Sequence, residues 1–335
     1  MVPLSVLDLA TVATGSNPAR ALAETTELAK TAERLGYRRF WVAEHHGMPA
    51  VASSAPPVLI AHLAAATSTI RVGSGGVMLP NHAPLVVAEQ FGTLEALHPG
   101  RIDLGIGRSE GAIDEATVIA FRRPGDSEHG SGYDEQVDEL LAFGGVRPLP
   151  PEHPLAGVRA VPADVPLPPV FMLGSTPSSA ATAARKGLGY GFAAYTNPEA
   201  VADALRLYRR EFVPARPGDR PYAILGLKVV VGEDDQQARA LALPWHLALV
   251  QNRAGNPSPL MTVEAALRHR LTEPERQAEA RVDRRADVVG DIEHARERIE
   301  ALVAESRADE VIATTNTYES AQRRASYERL AAAGG

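Results

Sequence analysis

Residues 101–108 read RIDLGIGR, a short apolar strand that ends at an arginine. On both sides of this strand, strand-like and helix-like stretches alternate along the chain. Seven more strands are predicted, spanning residues 3–9, 39–43, 70–79, 169–173, 189–195, 222–231 and 310–314. A helix is predicted after each strand, which indicates a parallel sheet with the helices outside it. Eight such repeats favour an α/β fold of the closed (β/α)8 TIM-barrel type over an open sheet.

Two insertions interrupt the alternation. Residues 109–132, after the fourth strand, carry Gly, Ser, Asp and Pro without a clear period. Residues 252–287, after the seventh strand, are polar and rich in arginine and carboxylates. A long loop in a compact domain is usually a lid or a binding loop. We therefore predict one domain over residues 1–335, in which both insertions are candidate mobile segments over the active site.

The composition limits the classes of partner. The chain has 335 residues, a formal net charge of −7 and no cysteine, which removes disulfides, thiolate metal sites and cysteine nucleophiles. Positive charge is not concentrated in a tail or stripe, so we expect neither nucleic acid nor a membrane as partner. The amino terminus lacks a signal-peptide pattern, and no apolar stretch approaches the ~20 residues of a membrane span. The expected location is the cytoplasm.

Polar side chains collect where the predicted strands end, which is where the active sites of such barrels lie. They follow six of the eight strands: Glu44, His45 and His46; Asn81 and His82; Arg108, Ser109 and Glu110; Ser175, Thr176, Ser178 and Ser179; Tyr195, Thr196 and Asn197; Thr315, Asn316 and Thr317. We therefore expect the functional site at this end of the barrel.

The segment 174–179, GSTPSS, is a candidate phosphate site because a predicted strand enters it and a predicted helix leaves it. The free N–H groups of a helix start attract phosphate, and Arg108 would add a positive charge. The groups involved would be the Gly174 backbone and the hydroxyls of Ser175, Thr176, Ser178 and Ser179. The same residues also fit a plain helix start, with Thr176 or Ser175 as the N-cap.

The Glu44-His45-His46 segment allows three interpretations. Adjacent strand residues point to opposite faces, so the two histidines would not easily share a metal ion, and no metal site is predicted. An imidazole with a pKa near neutrality suits general acid or base catalysis. The alternative is a structural histidine, which is the more common role of a lone histidine and the one that we favour for His82.

Residues 73–76, GSGG, lie inside a predicted strand. Glycine weakens a strand, so a bulge, a kink or the close approach of a ligand is expected to compensate. A kink of the barrel without any ligand fits the same residues.

Four segments taken together resemble the bacterial luciferase-like flavin-dependent monooxygenases. They are residues 41–46 (WVAEHH), 72–80 (VGSGGVMLP), 89–97 (EQFGTLEAL) and 99–108 (PGRIDLGIGR). Their order and spacing match the family over roughly the first third of the chain. Residues 174–179 and the last strand extend the resemblance along most of the rest.

The resemblance implies a barrel that binds reduced FMN as a co-substrate. Oxygen then adds at carbon 4a of the flavin, and the resulting peroxyflavin oxidises a small organic substrate. Site residues are implied as well: His45 as the catalytic histidine, Arg108, Ser175 and Thr176 around the flavin phosphate, and Gly75 and Gly76 as a non-proline cis peptide beneath the flavin ring. We predict Glu44 as a second catalytic residue beside His45. The family usually dimerises through its second and third helices, and the alanine-rich residues 61–66 would permit such packing.

Departures from the family pattern concern the substrate and the source of electrons. Gly107 stands where the light-emitting subunit has a reactive cysteine, and the paired tryptophans of its aldehyde pocket are not evident around residues 193–195. We therefore do not expect light emission or a long-chain aldehyde substrate. No nicotinamide-binding fingerprint is present, so we expect a separate flavin reductase as partner.

Two alternatives to the monooxygenase remain. One is a deazaflavin-dependent hydride-transfer oxidoreductase, whose acidic cofactor would require more basic residues near residues 174–179. Arg185 and Lys186 are the nearest along the chain, but they lie far along the helix. The other alternative is a flavin-binding protein without catalysis, and the retention of Glu44, His45 and Arg108 argues against it.

Overall fold

Eight parallel strands close into a barrel in the computed structural model, which describes residues 1–109, 111, 115–121, 132–216 and 218–334. The strands of the ring are β1 (Leu4–Asp8), β2 (Arg39–Val42), β3 (Arg71–Ser74), β5 (Ile102–Gly107), β6 (Val170–Gly174), β7 (Gly189–Ala193), β8 (Ala223–Val231) and β10 (Glu310–Thr314). They pair in chain order, and β10 closes the ring because it pairs with both β1 and β8. Two short strands lie beside the ring: β4 (Val77–Met78) pairs with β5, and β9 (Val288–Gly290) pairs with β8. The predicted TIM barrel is confirmed.

Twelve α-helices occur in the described residues. They are α1 (Pro18–Arg34), α2 (Pro56–Ala66), α3 (Pro84–Leu97), α4 (Glu115–Phe121), α5 (Tyr133–Phe143), α6 (Pro177–Lys186), α7 (Val201–Glu211), α8 (Asp235–Arg253), α9 (Val263–Arg268), α10 (Glu273–Glu279), α11 (Ile292–Ser306) and α12 (Ser320–Gly334). The start of α1 is typical, since the Asn17 side chain accepts the Arg20 N–H at 2.9 Å and Pro18 is the first helical residue. Within the described ranges, no helix combines the length and the apolar character needed to cross a membrane.

The two insertions contain helices of their own. The first insertion includes α4, while Glu110 and most of residues 112–131 lie outside the described residues. The second insertion contains α9 and α10, and it is tied to the loop after β1. The Leu260 N–H donates to the Val12 carbonyl at 3.2 Å, and the Leu260 carbonyl accepts the Thr14 N–H at 2.7 Å. The second insertion is therefore bonded to the carboxyl end of the barrel, where the site is expected.

The third predicted strand, residues 70–79, is interrupted in the middle. A cis peptide bond joins Gly75 and Gly76, and it separates β3 from β4. The glycines are required by close backbone packing, because a Cβ on Gly105 would lie 2.1 Å from the Ser74 carbonyl oxygen and one on Gly76 would lie 2.8 Å from the Gly105 oxygen. The close approach predicted from the sequence thus includes the neighbouring strand β5.

Charged side chains fill the amino-terminal end of the barrel. Arg39, the first residue of β2, is 3% exposed and lies between two fully buried carboxylates. Its guanidinium donates to Glu310 at 2.7 and 2.9 Å and to Asp103 at 2.8 Å. Arg71 donates to the other oxygen of Asp103 at 2.6 Å. Each buried charge is therefore paired and hydrogen-bonded, which is the condition under which burial of charge is tolerated.

We expect Arg39→Met to lower the free energy of unfolding by about 3 kcal/mol or more, because it leaves two buried carboxylates without their partner. The measurement is urea unfolding followed by circular dichroism. The matched control is Arg206→Met, which removes the exposed ion pair between Arg206 and Asp203 on α7. A change of at most about 1 kcal/mol is expected there. Equal losses in the two variants would contradict this account of the barrel end.

Candidate active site

An apolar cavity lies inside the carboxyl-terminal mouth of the barrel. Its lining includes Leu7, Trp41, Gly75, Leu173, Tyr195 and Ile312, which lie in or directly after six different ring strands. The wall is therefore built mostly from aromatic and aliphatic side chains together with the backbone of the cis glycine pair. A cavity of this kind suits a flat, largely apolar ring, for which polar groups at the rim would set the orientation.

Glu44 is fully buried at this mouth and connects three segments. Its Oε1 accepts the Nε2 atoms of His46 at 3.0 Å and His82 at 2.9 Å, and its Oε2 accepts the Met78 N–H at 3.1 Å. Burial alone would raise the pKa of this carboxyl, but the hydrogen bonds from His82 and His46 outweigh it and lower the pKa. Glu44 is thus an ionised group that holds His46, His82 and Met78, the second residue after the cis glycines. The structural role expected for His82 agrees with this geometry.

His45 differs from His46 and His82 because its ring makes no hydrogen bond to Glu44 and has a buried nitrogen without a partner. Its Nδ1 is buried and has no hydrogen-bond partner, while its backbone N–H donates to Ser53 at 3.0 Å. Burial, helped by the adjacent His46, lowers the pKa of His45 from its ordinary 6.5 to about 4, against the opposing effect of Glu44. His45 is therefore neutral near pH 7 and can accept a proton or a hydrogen bond.

The metal interpretation of the two histidines finds no support in the geometry. The His46 ring is bonded to Glu44, whereas the His45 ring has no such bond. Among the residues that the structure describes, no group of three or more His, Cys, Asp or Glu side chains is arranged to hold a metal ion.

The described part of the first insertion packs against this histidine segment. The Gly111 carbonyl accepts the His46 N–H at 2.8 Å, and the Phe121 ring of α4 meets the His46 ring edge-on, with 4.6 Å between centroids. Gly111 has a φ of +65°, and a Cβ there would lie 2.9 Å from the Glu44 carbonyl oxygen. Only glycine satisfies both conditions. The insertion thus contacts the candidate site, while its predicted role as a lid stays a prediction.

The segment 174–179 adopts the capped helix start that the sequence allowed. Thr176 is the N-cap of α6, and its Oγ1 accepts the Ser179 N–H at 3.2 Å. The Ser179 hydroxyl lies 2.8 Å from the Tyr190 hydroxyl, and Gly174 makes room for it, since a Cβ there would lie 2.2 Å from that oxygen. Among the described residues, Ser175 and Ser178 form no side-chain hydrogen bond. The cap and a phosphate site therefore remain compatible.

Arg108 follows β5, whose neighbour β6 leads into Gly174, so both reach the same mouth. Its side chain is exposed and forms no ion pair with a described residue. Burial and the nearby Asp134 raise the pKa of the Tyr133 phenol, and the positive charge of Arg108 opposes this rise. The Tyr133 hydroxyl is buried without a hydrogen-bond partner. Tyr133 is a site residue that the sequence analysis missed, because it lies at the start of a helix on the far side of the first insertion.

Lys228 was also missed. It is the one charged residue in β8, whose sequence AILGLKVVV is otherwise apolar. A lysine within an apolar strand is uncommon unless it is paired or functional, and this signal was available in the sequence.

A parallel barrel with an apolar cavity and polar rim at its carboxyl mouth defines a TIM-barrel enzyme. The sequence profile of the luciferase-like monooxygenases matches residues 2–322, so the chain belongs to that family. The prediction of a luciferase-like oxidoreductase, made from the four segments, is thereby confirmed.

Relatives and solved structures agree with this assignment. A luciferase-like monooxygenase of Escherichia coli K12 is 37% identical over 333 residues, with 98% of this chain and 95% of that protein covered. The N-acetyl-S-alkylcysteine monooxygenase of Bacillus subtilis is 41% identical over 216 residues, with 63% and 62% covered. The crystal structure of apo-MsnO8 superposes with a TM-score of 0.88 at 35% identity, and covers 100% of this chain and 98% of the other.

More distant solved structures share the fold alone. The oxygenating component of 3,6-diketocamphane monooxygenase from Pseudomonas putida, solved with FMN, has a TM-score of 0.69 at 17% identity over 98% of this chain and 97% of the other. A coenzyme F420-dependent tetrahydromethanopterin reductase from Methanopyrus kandleri has a TM-score of 0.65 at 18% identity over 98% of each chain. The fold is therefore shared by enzymes named for different cofactors.

We expect the low pKa of His45 to be visible in the pH dependence of stability. The folded pKa of about 4 lies below the ordinary 6.5, so the unfolded chain takes up the proton more readily. The stability contributed by neutral His45 is therefore complete above about pH 6.5 and is lost as the pH falls towards 4. Urea unfolding of the wild type and of His45→Asn over this range measures the effect. The wild type should lose more stability on acidification than the variant, and parallel losses would contradict the assignment.

Proposed function

We propose that this protein is an FMN-dependent monooxygenase that uses reduced FMN and O2 to oxidise a small organic substrate. The observation that carries the proposal is the apolar mouth cavity, whose wall includes Gly75, together with His45, which follows β2 by three residues and has a buried Nδ1 without a hydrogen-bond partner. When bound, reduced FMN supplies two electrons, with which one oxygen atom of O2 enters the substrate and the other leaves as water.

The residues of the mouth fit the parts of FMN. Trp41, Leu173 and Tyr195 offer apolar surface to the flavin ring. Arg108, with the N-terminus of α6 and the free hydroxyls of Ser175 and Ser178, would hold the phosphate. The relative named for N-acetyl-S-alkylcysteine supports a small organic substrate.

The chain's own residues then have separate tasks. His45, neutral because of its burial, would accept or return a proton at Nδ1 during oxygen transfer. Glu44 is a positioning residue, because its carboxylate holds His46, His82 and the Met78 N–H and makes no hydrogen bond to the His45 ring. The apolar lining would exclude water and so limit the wasteful decay of reactive species.

The basic residues near residues 174–179 support a deazaflavin cofactor less well than FMN. The Lys186 ammonium is bonded to the Asp138 carboxylate at 2.8 Å and to the Asp134 carbonyl at 3.0 Å, and Arg185 donates to Thr182 on its own helix at 3.1 Å. Lys186 is therefore already paired, and Arg185, although exposed, lies at the far end of α6 from residues 174–179. The residues near 174–179 therefore favour FMN over a deazaflavin. We expect a separate reductase to deliver FMN in its reduced form.

We expect His45→Ala to reduce turnover with reduced FMN by about 100-fold or more, which is the usual contribution of general acid–base catalysis. FMN affinity should change little, because the proposed role concerns the proton. Product is measured by mass spectrometry after photoreduction of FMN under oxygen, and affinity by fluorescence titration. Unchanged turnover would remove His45 from the mechanism.

A second expectation concerns the phosphate. Arg108→Ala should weaken FMN binding by about 10-fold to 100-fold, since a hydrogen bond to a charged group contributes about 1.5–3 kcal/mol. Riboflavin, which lacks the phosphate, should bind the wild type and the variant equally. The matched control is Arg206→Ala on the exposed face of α7. Equal effects on FMN and riboflavin would contradict a phosphate role for Arg108.

We also propose a homodimer formed through α2 and α3. Large apolar side chains are exposed on both helices: Val58 (72%), Val86 (46%) and Leu97 (64%). Exposed apolar side chains grouped in this way are typical of an interface. Sedimentation should show a dimer that Val58→Glu dissociates, whereas Val213→Glu, at a residue 54% exposed after α7, should not. A monomeric wild type would overturn the proposal.

A further inference from the structure

A second cavity adjoins the first at the barrel mouth. It lies between β8, α8 and the segment before β9, and its lining includes Lys228, Trp245, His246, Arg284, Asp287 and Asn316. The two cavities meet at Tyr195, which lines the first, because the Lys228 ammonium of the second lies 5.7 Å from the centre of the Tyr195 ring. A small molecule bound in the second cavity would therefore be next to the proposed flavin site.

Lys228 is partly buried and lacks a carboxylate partner. No ion pair or hydrogen bond joins its ammonium to any residue that the structure describes. Burial lowers the pKa of Lys228, Asp287 opposes this shift, and Arg253 and Arg284 add to it. An ammonium that is partly buried, with an aromatic ring beside it but neither a carboxylate nor a hydrogen-bond acceptor, is costly, so a structural role alone does not account for it.

Two residues that line this cavity each have a polar atom that is buried without a partner. The atoms are the Nε1 of Trp245, which is a donor, and the Oδ1 of Asp287, which is an acceptor. The other oxygen of Asp287 lies 3.4 Å from Arg284 Nε. Buried polar atoms are nearly always hydrogen-bonded in native proteins, so two such atoms in residues that line one cavity, beside an unpaired ammonium, indicate a missing ligand.

The charges around the cavity favour an anion. Three cationic side chains, Lys228, Arg253 and Arg284, act against the single carboxylate of Asp287. The Glu279 carboxylate, bonded to His246 at 2.6 Å, adds a second negative charge, and the cations still exceed the carboxylates by three to two. The unpaired donors outnumber the unpaired acceptor, which matches an anionic group that also carries a hydrogen-bond donor nearby.

We propose that this cavity binds the carboxylate of the substrate through Lys228 and Trp245, with Asp287 accepting an N–H of the same molecule. The substrate class is thus a small organic acid with a neighbouring N–H, as in an N-acylated amino acid. This inference rests on the proposed function, because it places the molecule to be oxidised beside the flavin cavity. The group that is oxidised would extend past Tyr195 towards His45.

The test compares acids with their methyl esters. N-acetyl-L-methionine, N-acetyl-L-leucine and N-acetyl-L-phenylalanine, each with its methyl ester, are titrated by calorimetry into the full-length protein saturated with oxidised FMN, and separately into the protein without flavin. At least one acid should bind the wild type about 10-fold or more tightly than its ester. Failure of all three acids to bind, or equal binding of every acid and its ester, would overturn the proposal.

Variants then test which residues bind the carboxylate of the acid. Lys228→Met should weaken the binding of the acid by about 10-fold to 100-fold, so that acid and ester bind with similar affinities. The affinity for FMN should stay the same. The control Lys30→Met removes an exposed lysine of α1 and should change neither affinity. Trp245→Phe, which retains a ring but removes the N–H, should weaken the acid by about 10-fold, so the proposal stays testable if Lys228→Met fails to fold.

The outcomes separate this inference from the proposed function. If Lys228→Met weakens FMN and leaves the acids unaffected, the cavity holds the flavin phosphate and the inference is wrong. If the acids bind in a Lys228-dependent manner but reduced FMN and O2 yield no oxygenated product from any of them, the acid site is supported and the proposed function fails.

Discussion

The buried guanidinium of Arg39 is the constraint on which the barrel depends. It bridges carboxylates of two other strands, Asp103 on β5 and Glu310 on β10, and so fixes three of the eight strands at the amino-terminal end. Removing water from these charges is costly, and only their mutual pairing offsets that cost. Alternative registers of β2 would break the pairing, so the cluster selects a single arrangement of the ring.

The register of β2 has consequences at the opposite end. Side chains alternate along a strand, and positions 39 and 41 share one face. Arg39 lies in the charged cluster, and Trp41 and Ala43 belong to the small apolar group inside the barrel. β2 ends at Val42, and the loop that begins there carries Glu44, His45 and His46. The ionic cluster thus fixes the strand from which the histidine segment departs.

The two ends differ in how their buried polar atoms are satisfied. At the amino-terminal end, the carboxylates of Asp103 and Glu310 each accept several hydrogen bonds. At the carboxyl-terminal mouth, His45, Trp245 and Asp287 each have a buried polar atom without a partner. Natural proteins depart from complete hydrogen bonding mainly at functional sites. The contrast agrees with the proposal of a functional site at the mouth.

Much of the fold followed from local patterns, while the site depended on pairing across the ring. Helix α6 begins where residues 174–179 were expected to start a helix, because its cap, Thr176, lies next to it in the chain. The residue partners of Glu44 were not predictable, since they come from segments that meet only once the ring closes. Strand β9 was missed because residues 288–290 follow a long polar insertion and form an edge next to β8. The cavity around Lys228 could not be predicted for the same reason. Lys228 and Asp287, which both line it, are about 60 residues apart in the chain, and the pairing of β8 with β9 brings them together.

The hydrogen bonds of Glu44 also determine the chemical form of two imidazoles. A single carboxylate oxygen accepts Nε2 of both His46 and His82, so each ring carries its hydrogen on that nitrogen. In the neutral state, both rings are therefore the Nε2–H tautomer, and their basic lone pairs are on Nδ1, on the side of each ring away from the carboxylate. The carboxylate thereby dictates the direction from which either ring exchanges protons with its surroundings.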